Sequence, residues 1–300
     1  MSDPVLTKVP VSADPRLLLA MPINERQAKA ARSRFKTDKQ GNPYVLRFTL
    51  LNRFLHALLL IAITILAFTG LAQILHGNFL GSIMLQMLGG LDATQGIHHT
   101  VSILLGIVVV FHLLDILEST VIRRQTPAML PKGKDLADAM RVLKVNLGFS
   151  IQTPRYDRFN FEQKTVYYVV SLGVLLQGLT GLMQWFPIQV TEIMPGILVT
   201  YAGILHRWNA ILIILVVFVW HLYQVHVRDH NLSIFSGKMS VAEMSMEHPL
   251  ELEYLQKAAA LVGSPTWPVK IEMNLNSEIE KLEQAAVAGT TQGSSSPKGN

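Results

Sequence analysis

The chain has 300 residues, half of them hydrophobic and only 16% charged, with a net charge of +5 and a positive mean hydropathy. So apolar a composition excludes an ordinary soluble enzyme and points to a membrane protein. No cysteine is present, which excludes disulfides, thiolate-held iron–sulfur clusters and covalently attached haem.

Residues 1–46 carry basic residues with no apolar core beside them, so they read as a cytoplasmic N-terminal extension and not as a cleavable signal peptide. Within them Glu25–Phe35 has the spacing of a short basic amphipathic helix lying on the membrane. Four apolar blocks follow, at 54–75, 98–117, 166–186 and 198–225. Each is about the 20 residues that a bilayer core demands. None alternates with period two, and helices satisfy their own backbone in lipid, so residues 47–230 read as an all-α integral membrane domain, a four-transmembrane-helix bundle.

The first connection holds Phe79–Gly90, apolar but broken by glycines, which suits the outer interface and docking of an external partner. After Pro127 and Pro131, Asp135–Leu147 has the pattern of an amphipathic cytoplasmic helix between spans two and three, and a turn is expected at Thr153-Pro154-Arg155. Residues 231–300 form a cytoplasmic C-terminal segment whose last stretch, after Gly289, reads as disordered. No repeat with a period of 20 to 50 residues is evident.

Lys and Arg crowd the segment before span one and the stretch from Arg123 to Lys164, whereas Ile74–Gly96 and Pro187–Leu205 contain neither. The positive-inside rule then places both termini in the cytoplasm. The basic charge is that of a face apposed to anionic lipid, and nucleic acid is not needed to explain it.

Ionisable residues inside spans are costly, so each is a functional candidate. Span one has His56, span two has His98, His99 and the deeper His112, and span four has His206 and His221. At 1.5 Å per residue, His221 lies about 22 Å deeper than His206, and His112 about 21 Å deeper than His98. The outer level therefore offers His98 or His99 with His206, and the inner level His221 with His56 or His112. Imidazole pairs on facing helices at two depths match the axial ligation of two b-type haems in an apolar slot. Gly70, Gly106, Gly173, Gly178 and Gly181 leave room for close approach, and Arg53 and Arg207 stand where haem propionates would emerge. His76, His226, His230 and His248 fall at the membrane edge or beyond it and read as solvated or interfacial, and Trp185, Trp208 and Trp220 read as interface anchors. The competing readings are a haem-free membrane anchor and an ion transporter. The latter needs acidic partners inside the spans, where only Asp115 and Glu118 come close.

Taken together, RFLH at Arg53–His56, TGL at Thr69–Leu71, GIHH at Gly96–His99, RFNFEQK at Arg158–Lys164, a second TGL at Thr180–Leu182, and His206 with His221 resemble the gamma, or cytochrome b, subunit of membrane-bound formate dehydrogenases. More distantly they resemble hydrogenase and thiosulfate reductase cytochromes b. The resemblance covers about residues 47–250. It implies a bacterial inner-membrane subunit of a respiratory oxidoreductase, with His98 and His206 on the outer haem and His56 and His221 on the inner. It also implies an extracytoplasmic iron–sulfur or multihaem partner, and menaquinone or ubiquinone as the mobile substrate near Asn160 and Gln163. Electron flow from quinol outward is equally compatible. The span-four histidines are fifteen residues apart, one more than the family pattern, a shift of about 100° for the helix or the haem tilt to absorb. The extra His112 keeps a second inner assignment open, with His112 and His221 as the pair.

Overall fold

The computed structural model describes residues 25–122 and 127–260, so the expected disorder after Gly289 lies outside the described residues. Two compact units are distinguished among the described residues: one within 44–249, the other of 25–43 with 250–260.

In the second unit, helix α1 (Glu25–Arg34) has the extent expected of the basic amphipathic segment. It buries Ala28 and Ala31, and Arg34 forms a 2.8 Å ion pair with Glu251. A three-residue strand, β1 (Phe35–Thr37), follows it.

The larger unit is built on four helices long and apolar enough to cross a membrane, at Leu50–Ile74, Leu91–Ile122, Phe161–Trp185 and Ile197–Arg228. The fold is therefore that of an all-α membrane protein. In chain order its elements are β2 (Pro43–Leu46), the first span α2 (Leu50–Ile74) and α3 (Phe79–Met87), then the second span α4 (Leu91–Leu117), α5 (Gly133–Asn146) and the third span α6 (Phe161–Trp185). They are followed by α7 (Pro187–Ile193), the fourth span α8 (Ile197–Ile214, continued to Arg228 in wider turns), α9 (Ser233–Ser236), β3 (Lys238–Ser240) and α10 (Val241–Glu247), while α11 (Pro249–Ala260) belongs, but for its first residue, to the other unit. The apolar connection of the first hairpin is thus helical, and the predicted amphipathic helix is present as α5.

The bundle is apolar outward and polar inward, as lipid requires. Leu104, Val110, Leu172 and Leu182 face outward, whereas Thr69, Thr94 and Thr180 are buried with small neighbours such as Ala62, Ala72 and Ala202. Spans one and two pack closely, as do spans three and four, while the two hairpins meet only sparsely, mainly through spans one and four. At the junction of span one with α3, a Cβ on Gly81 would stand 1.9 Å from the carbonyl oxygen of Leu75, so only glycine fits there.

Each odd span begins with a reciprocal cap that satisfies its first amides. Thr49 and Asn52 form the first, Asn160 and Gln163 the second. These caps belong to a long internal duplication. Thr49, Asn52, Arg53, Thr69 and Gln73 correspond, 111 residues on, to Asn160, Gln163, Lys164, Thr180 and Gln184, and both hairpins close through an extra short helix. His98 and His206 correspond at an offset of 108, His112 and His221 at 109. The additional residue is accommodated where span four widens into a π-helical segment, Leu215–His221. A π turn absorbs one residue without breaking the helix, so the odd fifteen-residue spacing is taken up by the backbone.

Near the basic ends of spans one and three a small cap closes the unit. β2 pairs antiparallel with β3, Tyr44 opposite Ser240 and Leu46 opposite Lys238. Arg47, only 4% exposed, donates to the carbonyl of Arg158 at 2.6 Å, and Arg158 returns a bond to the carbonyl of Arg47 at 2.7 Å.

Candidate functional site

The imidazoles of His98 and His206 face each other across the two hairpins with ring centroids 6.4 Å apart and planes inclined by 65°. Behind each ring stands a threonine of the partner helix in its own hairpin. Thr69 Oγ1 lies 2.8 Å from Nδ1 of His98, and Thr180 Oγ1 lies 3.0 Å from Nδ1 of His206. Both hydroxyls donate to the carbonyl one turn back, Ile65 at 2.8 Å and Leu176 at 2.6 Å. They are then acceptors toward the rings, which fixes the proton on Nδ1 and leaves the Nε2 lone pair of each histidine for a ligand. The glycine after each threonine brings the backbone close: a Cβ on Gly70 would lie 3.6 Å from His98 Cε1, and one on Gly181 3.2 Å from His206 Cε1. Gln73 and Gln184 donate to the carbonyls of the same two threonines, each at 3.2 Å.

Toward the other end, His56 and His221 also face each other at 6.4 Å, with planes inclined by 54°, and Phe235 packs edge-on against His56 at 6.2 Å. Here His56 Nδ1 and Arg53 Nε are buried without a hydrogen-bond partner among the described residues. Unpaired buried polar atoms carry a cost and mark a place where a polar group is expected.

Two imidazoles bound on opposite sides of one metal ion have a defined separation. A metal–imidazole bond of about 2.0 Å plus roughly 1.2 Å from ring nitrogen to ring centre, taken twice, gives about 6.4 Å. Both pairs stand at that value. Among the described residues no group of three or more His, Asp or Glu side chains is placed to hold a metal ion. No protein-family model matches the sequence, and no curated protein matches it.

The remaining sequence candidates are placed as follows. His99 stacks on Trp185, centroids 4.0 Å apart and planes 17° apart, and Trp185 stacks in turn on Phe186 at 5.3 Å. His112 is 3.1 Å from the hydroxyl of Tyr167 through Nε2, a hydrogen-bond distance that leaves no room for an ion between them. Arg207 is exposed next to His206, and Arg53 is half-buried near Gly237. Asn160 and Gln163 each use their side-chain oxygen in the cap of span three, at 2.7 and 3.2 Å.

His248 needs correction. Expected to be solvated or interfacial, it is 1% exposed, with Nδ1 2.7 Å from the carbonyl of Asp157, because the polar stretch after span four folds back into the cap. Two functional side chains were missed in the sequence, the supporting threonines. The signal was present in the repeated Thr-Gly-Leu-x-Gln at Thr69–Gln73 and Thr180–Gln184.

At the basic ends of the spans, charge is organised around the start of span three. Lys164, 5% exposed, donates to both oxygens of Asp135 at 2.8 and 2.9 Å and to the carbonyl of Leu130 at 3.2 Å, tying α5 to the bundle. Burial pushes the Asp135 carboxyl up, but the Lys164 ammonium and the Lys132 amide hold it below the usual range. Asp157 is likewise lowered against burial, by Lys132 and the Arg158 amide. Burial, with the carboxylates Glu162 and Asp138 nearby, pushes Tyr156 up to about 12.

Proposed function

We propose that this chain is the di-haem cytochrome b membrane subunit of a respiratory oxidoreductase, carrying electrons between an extracytoplasmic redox partner and membrane quinone. The observation that carries the reading is the pair of imidazole pairs, both at 6.4 Å and about fifteen residues apart along the fourth span. One accidental pairing of that size is unremarkable, whereas two, each joining a histidine of one hairpin to a histidine of the other, match what two bis-histidine irons need.

Haem b, when bound, supplies one-electron redox chemistry at each depth. The protein's part is positional and electrostatic. His98 and His206 hold the outer site, with Thr69 and Thr180 setting their tautomer, and His56 and His221 hold the inner site. Arg207 and Arg53 are the candidates for propionate contact at the two ends, and the unpaired Arg53 Nε supports the second of these. Asn160 and Gln163, at the start of span three, are the quinone candidates, and the amide nitrogens are the groups their cap leaves for donation to a carbonyl oxygen. Lys and Arg crowd the His56 and His221 end, which by the positive-inside rule supports reading that end, and both termini, as cytoplasmic, in a bacterial inner membrane. The opposite end, whose connections Ile74–Gly96 and Pro187–Leu205 carry neither Lys nor Arg and include the apolar α3, is the face for an iron–sulfur or multihaem partner subunit.

Purified from membranes, the protein is expected to show a reduced-minus-oxidised b-type spectrum with two haems per chain. A haem-free chain after reconstitution would sink the reading in favour of a structural anchor.

A further inference from the structure

The duplication that relates the two hairpins also relates their inner histidines, and it leaves one position differently filled. His56 of span one corresponds to Tyr167 of span three, and His112 of span two corresponds to His221 of span four. The inner pair His56 and His221 therefore has a counterpart at the same depth, Tyr167 with His112. In the counterpart the two rings are hydrogen-bonded at 3.1 Å, with centroids 5.9 Å apart. A tyrosine stands where the duplicate has its ligand, and the site holds a proton donor in contact with a base.

The surroundings extend the contact toward the basic face. Asp115 lies one turn from His112 on the same helix and is its charged neighbour. Its carboxylate accepts from Asn52 Nδ2 at 3.3 Å, and Asn52 Oδ1 accepts from the Thr49 hydroxyl at 2.7 Å where span one begins. On the facing helix Tyr168 and Ser171 are the polar neighbours of Tyr167. The run from Tyr167 through His112 and Asp115 to Asn52 and Thr49 is thus a line of exchangeable groups from the inner histidine level to the basic end. All of these side chains are half-buried except Thr49, which is exposed.

We propose that His112 and Tyr167 are a proton-transfer pair that serves quinone reduction, electrons arriving on the His56 and His221 side of the bundle and protons on the other. The inference rests on the quinone reading above. Reducing a quinone to the quinol consumes two electrons, which a haem held by His56 and His221 would supply, and two protons. With each electron, Tyr167 gives its hydroxyl proton to a quinone oxygen and recovers one from protonated His112. His112 is reloaded from the basic face through Asp115, and two such turns deliver both protons.

The test uses the haem-loaded protein in lipid vesicles, reduced with dithionite and mixed rapidly with menadione, while haem absorbance and a pH dye are followed together. Wild type is expected to take up one proton for each electron lost. Tyr167→Phe and His112→Gln are each expected to keep two haems per chain and to slow haem reoxidation and proton uptake together by at least about tenfold, the lower range of general acid–base effects. In His112→Ala, added imidazole is expected to restore the rate, which a purely structural role would not allow. Wild-type rates in both conservative variants would overturn the proposal, and so would loss of a haem from a His112 variant, which would make His112 a ligand. Reduced wild-type protein with two haems that menadione fails to reoxidise would defeat the quinone reading itself and the proposal with it.

Discussion

The hydroxyl of Thr69 meets Nδ1 of His98 at 2.8 Å, and Thr180 repeats the relationship with His206 at 3.0 Å in the other hairpin. An Nδ1–H bonded to an acceptor makes the ring a stronger donor through Nε2 and, on the haem reading proposed above, would favour the oxidised form of an iron held there. Thr69→Val or Thr180→Val is therefore expected to raise the midpoint potential of the outer haem and leave the inner one in place. The rise should be roughly 20–60 mV, the one-electron equivalent of about 0.5–1.4 kcal/mol of hydrogen bonding. Spectroelectrochemical titration resolving the two components reads it directly, and a shift of the inner component alone would contradict the assignment.

Ligand replacement separates the histidines. Alanine at His98 or His206 is expected to remove one haem, and alanine at His56 or His221 the other, while alanine at His99 leaves both. Pyridine haemochrome assay against protein concentration counts them. Loss of a haem on replacing His99 would move the outer ligand by one residue, a rotation of about 100° on the helix.

The crossing of spans three and four is close at Gly173, where a Cβ would stand 3.0 Å from Cδ1 and Cγ1 of Ile213. Asn209 Nδ2 also donates to the Gly173 carbonyl at 2.8 Å across the same crossing. Gly173→Leu is expected to destabilise the bundle by about 1–3 kcal/mol, as overpacking does. Gly106→Ala and Gly178→Ala meet no protein atom within 4 Å and should not loosen the helix packing. Thermal unfolding in detergent compares the three.

The Lys164 and Asp135 pair predicts acid sensitivity. The folded-state pKa of Asp135 lies below its ordinary 3.8, so its contribution is present above that value and is lost as pH falls through the lower, folded one. Asp135→Asn is expected to cost about 1.5–3 kcal/mol, the scale of a charged hydrogen bond, and to flatten the acid limb. Proteolysis of α5 between pH 5 and pH 2 would show it, and equal acid lability in the variant would refute the linkage.

Much of the bundle was legible because lipid imposes one rule on every span. Apolar runs of sufficient length must be helices, so four blocks became four spans, and Asp135–Leu147 and Glu25–Phe35 announced α5 and α1 through their 3.6-residue pattern. Depth was legible too, since helical rise converts residue number to ångströms, and it grouped the histidines into two levels.

Partner choice within a level was not legible from rise, which carries no information on which helix faces which, and only the resemblance implied His98 over His99 and His56 over His112. His56 and His112 share a level, and only the packing of the hairpins brings one to His221 and the other to Tyr167. The same holds for His98 and His99, neighbours pointing about 100° apart, one to His206 and the other to Trp185. The π turn before His221 is a further case: the sequence shows the extra residue, and only the backbone shows how it is absorbed. His248, polar and beyond the last span, lacked any local sign of burial, since its enclosure comes from long-range contact with Asp157. The sequence by itself thus determined the helices, their number and the depth of each histidine, quantities set by hydrophobicity and axial rise. Which histidines face each other, expected from resemblance but not derivable from rise, was decided by tertiary structure, since it depends on helix rotation and on which faces of two duplicated hairpins meet.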